Sequence, residues 1–303
     1  MRIVTRPDFD GVVCAVLISD ALEIRQPVHW VEPNDFNKGT ADIQPGDIIA
    51  NLPYDPRCDT WFDHHSTNVP RVPYKGLFRN APSAARNVFD YFHGRFRRDY
   101  DELVYWADRI DSADFTQDEV LFPQKYDYVL LSMTVSGEHG KEEGYWNQLV
   151  RLLRAKDLKQ VMADPDVEAR CRQVIKDNSE YAHWLRKYTR VEGLVAITDF
   201  RSIGHPPSGN RFLSYCLFPE TVVSVRIRFE DRKQQTVVVN IGHSIFNPHC
   251  NVHVGKLLAE FEGGGHRGAA SARFPAAKAD SYLPQIITAL VKNQPRQDQG
   301  PPA

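Results

Sequence analysis

Carboxylates and imidazoles that could bind a metal occur as three clusters in the first 111 residues of the chain. They are, in chain order, Asp8-Phe9-Asp10-Gly11, Asp63-His64-His65 and Asp108-Arg109-Ile110-Asp111. Imidazole nitrogens combined with carboxylate oxygens suit Mn²⁺, Fe²⁺, Co²⁺ or Zn²⁺. The first two clusters directly follow predicted strands, and open α/β sheets place their ligand sites at such strand ends.

Each cluster also has an ordinary structural interpretation. Asp8 could cap a helix, and His64 and His65 could be polar loop residues. Asp108 and Asp111 could be solvated or could cap a helix. The three clusters together, each at a turn, favour one shared metal site over three unrelated turns.

A glycine-rich segment near the other end of the chain could bind a phosphate. Gly263, Gly264 and Gly265 are followed by His266 and Arg267. Residues without Cβ let backbone N–H groups approach an anion closely, and the two side chains add donors. The alternative is a helix C-cap with a turn, which needs one glycine rather than three. We therefore predict a phosphate-binding loop here.

Short apolar strands that alternate with helical segments must position the metal-binding clusters. The predicted strands are 2–5, 28–31, 47–51 and 60–62, and the predicted helices are 11–24, 82–92 and 100–110. Such alternation is typical of an α/β domain with a mostly parallel sheet flanked by helices.

The pattern changes twice further along the chain. Residues 143–187 are almost entirely helical, with Pro165 as the only interruption. Strands are then predicted at 194–198, 221–229 and 235–241, and helices at 252–262 and 281–291. We place a domain boundary near residue 190. The prediction is an N-terminal domain, 1–190, with a helical connector from about 143, and a smaller C-terminal α/β domain, 191–303.

Composition narrows the class of protein. A net charge of -2 argues against a protein that coats nucleic acid through bulk electrostatics, but permits a small anionic substrate. Five scattered cysteines favour reduced thiols over a disulfide framework. The start carries no signal-like segment, and no apolar run approaches the roughly 20 residues that span a bilayer. We expect a cytoplasmic protein without a membrane partner.

The order of the motifs resembles the DHH phosphoesterase superfamily. The matching segments are Asp8-Phe9-Asp10-Gly11, Asp63-His64-His65, Ala81-Pro82-Ser83-Ala84-Ala85-Arg86 and Asp111-Ser112-Ala113-Asp114-Phe115. Residues 263–270 resemble the GGGHxxAA signature of the DHHA1 domain that accompanies it. Together the segments span nearly the whole chain. The chain looks most similar to exopolyphosphatase-related members, relatives of nano-RNases, cyclic-dinucleotide phosphodiesterases and RecJ-type exonucleases.

The resemblance implies a site with two divalent cations, usually Mn²⁺, bridged by an aspartate and a water or hydroxide. Two such ions lower the pKa of the bridging water and neutralise transition-state charge. Carried over by position, Asp8 would bind one metal, and Asp10, His64 and Asp111 would bind the other. Asp63 would orient a histidine from behind the ligands.

The resemblance also assigns roles on the substrate side of the site. His65 would face the scissile phosphate or the leaving group. The segment 263–267 would hold the part of the substrate that is not cleaved, in a cleft between the two domains. Arg86 could pair with Asp63 or with phosphate, and a structural role is favoured.

Two positions depart from the family pattern. Val4 stands four residues before Asp8, where members carry a histidine, and Asn51 stands where they carry the bridging aspartate. An amide oxygen is a neutral, weak ligand and a poor bridge between two cations. Asp55 or Asp59 could replace Asn51 in another strand register. A site with one metal, or one completed by substrate, is favoured over a normal two-metal site.

These observations leave two main hypotheses of function. The first is a metal-dependent hydrolase of a phosphodiester or phosphoanhydride bond in a short oligonucleotide, a nucleotide or polyphosphate. The second is a catalytically degenerate protein that binds nucleotide or phosphate. A processive single-strand nuclease fits least, because the sequence does not predict the basic, aromatic-rich surface that would bind along a nucleic-acid strand. The expected cofactor is one or two Mn²⁺ ions, and a homodimer is left open.

Overall fold

A computed structural model describes residues 1–135, 142–204, 207–230 and 232–294 of the chain. Within these ranges the residues group into two compact units. The first unit comprises residues 1–115 and 122–174, and the second comprises 116–121 and the residues from 175 onward. The division after residue 174 falls inside the long helix Pro165–Tyr188. The predicted domain boundary near residue 190 lies just after the end of that helix.

The eleven strands in the described ranges form two sheets. The strands of the first sheet are β1 (Ile3–Thr5), β2 (His29–Trp30), β3 (Ile48–Ala50), β4 (Thr60–Asp63) and β5 (Gly76–Phe78). The strands of the second sheet are β6 (Thr189–Glu192), β7 (Val195–Asp199), β8 (Val223–Phe229), β9 (Thr236–His243), β10 (Gly263–Gly265) and β11 (Ala269–Pro275).

Twelve α-helices lie in the same ranges. The first six are α1 (Phe9–Ala21), α2 (Pro33–Asn37), α3 (Ala84–Tyr91), α4 (Asp101–Asp111), α5 (Gln117–Leu121) and α6 (Asp127–Met133). The others are α7 (Glu143–Ala155), α8 (Leu158–Met162), α9 (Pro165–Tyr188), α10 (Leu213–Leu217), α11 (Val254–Ala259) and α12 (Ala279–Lys292). None of these helices has both the length and the apolar character needed to cross a membrane.

The first sheet has the strand order β2-β1-β3-β4-β5, and every neighbouring pair is parallel. Register pairs Thr5 with Ala50, and Ala50 with Phe62. The segments that follow β1, β3 and β4 therefore leave the sheet at the same edge. This topology brings the first two acidic clusters together, and the predicted α/β fold class is confirmed.

Burial explains why these short segments become central strands and one central helix. The strand residues Ile48-Ile49-Ala50 are fully buried, as expected for a parallel strand covered on both faces. The residues of α1 from Phe9 to Asp20 are all buried, because α3, α4 and α7 pack around it. A helix that is apolar on nearly every side belongs in such a core.

A tight turn joins β1 to α1 and sets the position of the first acidic cluster. Asp8 is the N-cap of α1, and its Oδ1 accepts a hydrogen bond from the Gly11 backbone nitrogen at 2.8 Å. A Cβ on Gly11 would lie 1.9 Å from the carbonyl oxygen of Arg6, so only glycine fits there. The turn thus leaves Asp10 in the first turn of the helix.

The second unit contains a mixed sheet with the strand order β10-β11-β9-β8-β7-β6. Its β7–β8 pair is parallel and the other pairs are antiparallel. Residues of α11 and α12 share its apolar core. Gly263–Gly265 were predicted to form a loop, but they form the edge strand β10 and pair with β11. Pro165, predicted to interrupt a helix, is instead the first residue of α9, a position that proline tolerates.

Candidate active site

Three side chains of the first unit could together hold one metal ion. Asp10 comes from α1, His64 directly follows β4, and Asp111 is the last residue of α4. One ligand atom from each lies within 4.8 Å of the other two. Ligand atoms about 2.0–2.2 Å from a shared divalent ion would have comparable mutual spacing. The group therefore fits one divalent cation with one nitrogen and two oxygen ligands.

Asp10 is held firmly by the start of α3. Its Oδ2 accepts a hydrogen bond from the backbone nitrogen of Ala84 at 2.9 Å, and its Oδ1 accepts one from Ala85 at 2.8 Å. Burial, and then the charge of Asp8, raise the pKa of Asp10 to about 7. A carboxylate that is costly to ionise alone gains strongly from a nearby cation.

His64 presents one ring nitrogen that has no hydrogen-bond partner. Its Nδ1 lies 3.0 Å from the carbonyl oxygen of Ala81, which favours the tautomer with the proton on Nδ1. The buried Nε2 lies 3.2 Å from Oδ2 of Asp111 but lacks the alignment of a hydrogen bond. A metal-binding histidine typically has one ring nitrogen free to bind the ion while a hydrogen bond holds the other nitrogen in place. The two ring nitrogens of His64 follow this pattern.

Asp111, like Asp10, is a carboxyl group whose ionisation is disfavoured. Burial, and then the charges of Asp10 and Asp8, raise the pKa of Asp111 to about 7. Two carboxylates that disfavour each other's ionisation in one place gain from a shared cation. The electrostatics and the spacing of the side chains agree on a single cation position.

Asp63 organises a second group next to the first. It is fully buried, and its Oδ1 lies 2.7 Å from Nδ1 of His65 and accepts from the His64 backbone nitrogen at 2.8 Å. Asn68 donates to its Oδ2 at 2.6 Å, and Asn87 donates to its carbonyl oxygen at 2.9 Å. The hydrogen bond with Asp63 is the main cause that raises the pKa of His65.

A network of side chains fixes α4 against the start of α3. Ser83 caps α3 and donates to Oδ1 of Asp108 at 2.6 Å. Arg86 donates to Oδ2 of Asp108 through Nε and Nη2, at 2.8 and 2.6 Å. Asp108 lies one helical turn before Asp111, so the network sets where that carboxylate stands. Arg86 thus pairs with Asp108 rather than with Asp63.

Asp8 has a different environment from the three side chains above. Its Oδ1 accepts from Nδ2 of Asn51 at 3.0 Å, and its Oδ2 lies 3.0 Å from Nε of Arg6. Among the described His, Cys, Asp and Glu residues, the groups of three that could hold a metal do not include Asp8. Asn51 and Arg6 therefore contact the carboxylate that was predicted to bind the first metal.

The alternatives considered for the predicted bridge lie elsewhere. Asp55 forms an ion pair with Arg57 at 2.6 Å, and Asp59 forms one with Lys75 at 2.8 Å. Asp59 also precedes β4, at the opposite edge of the sheet. Val4 is fully buried in an apolar cluster of the first unit. The strand register that places Asn51 beside Asp8 is the one observed.

Several residues that shape the site carry no recognisable signal in the sequence. Asn68 and Asn87 contact Asp63 through the fold, and no spacing in the chain indicates this. The Ala-Pro-Ser segment was interpreted as a helix start, but its two following backbone amides also bind Asp10. Arg6 was not singled out, although a cation two residues before Asp8 is visible in the sequence.

The glycine segment of the second unit combines close packing with an open position. A Cβ on Gly263 would lie 2.4 Å from the carbonyl oxygen of Ser271, and Gly265 has a φ of 147°. Packing therefore requires both residues. A Cβ on Gly264 would meet nothing within 4 Å, so packing does not explain this glycine. The adjacent His266 and Arg267 are exposed.

Comparison with known proteins gives matches among solved structures only. No family model and no curated protein matches the chain. A DHH-domain structure described as a member of a family of ribosomal proteins is 13% identical, with a TM-score of 0.63 over 97% of this chain and 87% of that one. The exonuclease RecJ bound to manganese is 14% identical, with a TM-score of 0.55 over 96% and 90%. These two similarities show the shared fold.

A further solved structure is similar in sequence as well as in fold. The pGpG-specific phosphodiesterase PggH from Vibrio cholerae has a TM-score of 0.83 and 29% identity, over 96% of this chain and 99% of that one. The similarity extends over nearly the whole length of both chains. The predicted superfamily is confirmed: the chain belongs to the DHH superfamily of phosphoesterases and is a hydrolase of the DHH type.

Proposed function

We propose that the chain is a phosphodiesterase that cleaves short linear dinucleotides such as pGpG with the help of one Mn²⁺ ion. The observation that carries this proposal is the position of His64, which belongs both to the group with Asp10 and Asp111 and to the group with Asp63 and His65. A cation site and a proton donor are thereby adjacent. The nearly full-length similarity to a pGpG-specific enzyme supports the substrate class.

Asp10, His64 and Asp111 would hold the cation, since their spacing, the unpartnered His64 nitrogen and the raised carboxylate pKa values all fit one. Such an ion polarises a phosphoryl oxygen and lowers the pKa of a bound water. The helix start that binds Asp10 and the network that fixes Asp108 keep two of the three ligands in place.

His65 has the properties of a general acid. Its Nδ1 donates to Asp63, so the exchangeable proton that faces the substrate is on Nε2. The hydrogen bond with Asp63 raises the pKa of His65 and so favours the protonated ring. The side chain could then protonate the oxygen that leaves phosphorus when the diester bond breaks. Asp63 orients the ring, as a carboxylate does behind a catalytic histidine.

Gly264 and the exposed side chains of His266 and Arg267 would bind a terminal phosphate of the substrate. Replacing Gly264 with alanine is expected to change the free energy of unfolding by less than about 0.5 kcal/mol, because open space receives the methyl group. It should nevertheless raise the KM for pGpG several-fold, because it blocks backbone approach to an anion. Thermal melting and steady-state kinetics would measure both effects.

Gly265 provides the matched control for that variant. Alanine there is expected to destabilise the protein by about 1–3 kcal/mol, because its Cβ would lie 2.5 Å from the carbonyl oxygen of Ala269 and φ is 147°. An unchanged KM in Gly264→Ala would remove this segment from the substrate site. Equal loss of stability in both variants would show that Gly264 is also a packing residue.

A panel of substrates tests the proposed function directly. With Mn²⁺ present, we expect hydrolysis of pGpG to GMP to exceed hydrolysis of a five-nucleotide RNA and of polyphosphate by at least about tenfold in kcat/KM. The variant His65→Ala should keep its Mn²⁺ and lose most turnover. Absence of dinucleotide cleavage with Mn²⁺, Co²⁺ and Mg²⁺ would contradict the proposal.

A second candidate function is nucleotide binding without hydrolysis. The observation that favours it is the loss of two family ligands at Val4 and Asn51, with Asp8 bound by donors instead. It predicts that the wild-type protein binds pGpG and leaves it intact in every metal tested. Turnover that His65→Ala abolishes would exclude this candidate.

A further inference from the structure

The carboxylate of Asp8 is already neutralised by groups of the chain itself. Gly11 and Asn51 donate to its Oδ1 at 2.8 and 3.0 Å, and Nε of Arg6 lies 3.0 Å from its Oδ2. One negative charge is thus balanced by one guanidinium and two neutral donors. A second divalent cation would find no excess negative charge at this position.

Asn51 is neutral, so it cannot supply negative charge for a second cation. It is 2% exposed, has a φ of 56° and directs its amide nitrogen at Asp8, while its Oδ1 has no partner. An amide bridging two cations would be a neutral and weak ligand. Compared with an aspartate at this position, asparagine removes one negative charge, and Arg6 adds a positive one beside Asp8.

Arg6 is placed to bind an anion near the metal-binding group. Its carbonyl oxygen packs against Gly11, which fixes the backbone of the turn between β1 and α1. Its side chain is 41% exposed and forms an ion pair through Nε. A guanidinium has five N–H donors in a planar fork that matches two phosphate oxygens. Asp8 is the N-cap of α1 and Asp10 lies in the first turn of the same helix, so this turn adjoins the metal-binding group.

We infer that Arg6 takes the place of a second metal ion and binds the scissile phosphate of the substrate through its guanidinium. This inference rests on the proposed phosphodiesterase function. The single divalent cation is held by Asp10, His64 and Asp111. Arg6, which stays paired with Asp8, would donate hydrogen bonds from its guanidinium to phosphate oxygens but cannot activate water; the single cation, when bound, would supply that activation.

Counting metal ions is the first test. Equilibrium dialysis against Mn²⁺ should saturate at one ion per chain, and adding inorganic phosphate should leave that number at one. The double variant Arg6→Gln with Asn51→Asp should bind a second ion, because it removes a positive charge and adds a carboxylate. Two ions in the wild-type protein, with or without phosphate, would overturn the inference.

Phosphate binding is the second test and does not depend on turnover. Isothermal titration of Mn²⁺-loaded protein with inorganic phosphate should show at least about tenfold weaker binding in Arg6→Gln, with partial recovery in Arg6→Lys. Arg172→Gln is the control, because Arg172 forms an exposed ion pair with Glu168 on α9. Melting temperatures verify that each variant is folded.

The two tests separate this inference from the proposed function. Unchanged phosphate affinity in Arg6→Gln overturns the role of Arg6, even if pGpG is cleaved. Failure to cleave any dinucleotide, combined with one Mn²⁺ ion and weaker phosphate binding in Arg6→Gln, contradicts the proposed substrate and supports Arg6 as the phosphate-binding cation.

Discussion

Replacing Asp10 with asparagine is expected to abolish Mn²⁺ binding and to lower pGpG turnover at least about a thousandfold. Asp10 supplies one of the three ligand atoms of the proposed cation site, and a neutral amide is a much weaker ligand. A thousandfold loss corresponds to about 4 kcal/mol of transition-state stabilisation, within the several kcal/mol that a catalytic metal contributes. Isothermal titration with Mn²⁺ and steady-state kinetics would measure the two losses.

Asp10→Asn should remain folded, because two effects of the substitution on stability oppose each other. The amide of asparagine would direct N–H groups at the backbone nitrogen of Ala84 or Ala85, and losing that acceptor costs about 1–3 kcal/mol. Removing a buried carboxylate whose pKa is raised to about 7 offsets this cost at higher pH. The melting temperature without metal should therefore change little near pH 8.

Asp20 offers a matched control for the Asp10 variant. It lies on the same helix α1, is buried, and accepts a hydrogen bond from the backbone nitrogen of Arg97 at 2.8 Å. Asp20→Asn should likewise weaken a hydrogen bond from a backbone nitrogen, and it should keep its Mn²⁺. If Asp10→Asn bound Mn²⁺ with wild-type affinity, or if Asp20→Asn lost the ion as well, the ligand assignment would be wrong.

The first sheet could be predicted from the sequence because its strands are short, apolar and bounded by turn residues. Predicted strand 60–62 became β4, Thr60–Asp63, and predicted strand 47–51 became β3, Ile48–Ala50. β10 could not be predicted, since three glycines have no side-chain periodicity and pair only because β11 lies beside them. β6 was missed because its residues Thr189–Glu192 continue the charged pattern of the preceding helix.

The residue types that form the site could be predicted, but most of their hydrogen-bond partners could not, because the partners depend on tertiary structure. The resemblance to the DHH superfamily assigned Asp10, His64 and Asp111 to one metal, and the structure brings them together. The interaction of Arg6 with Asp8 and the donors to Asp63 arise from turns and helix starts that only the folded chain fixes. Local pattern gives the residue types at an edge, but the partner of each oxygen is a property of the packing.

Mn²⁺ affinity is expected to rise about tenfold to a hundredfold between about pH 6 and pH 8. The ion binds the ionised carboxylates, and burial, with charge repulsion in the site, raises the pKa of Asp10 and of Asp111 to about 7. One unit below such a pKa, about nine in ten groups carry a proton, so each proton displaced costs about tenfold in affinity. Isothermal titration at several pH values, in two buffers of different ionisation enthalpy, would count the protons released.

The raised pKa values of these carboxyl groups also determine how the stability of the metal-free protein changes with pH. A carboxyl group with a pKa above its ordinary value of 3.8 binds its proton more tightly in the folded state, so the metal-free protein loses stability as pH rises from about 4 toward 7. A cation removes this loss by stabilising the ionised form. The gain in melting temperature on adding Mn²⁺ should therefore grow with pH in the wild-type protein and be absent in Asp10→Asn. A gain that is independent of pH would mean that the carboxylates are already ionised without the metal, and that repulsion between them does not shape this site.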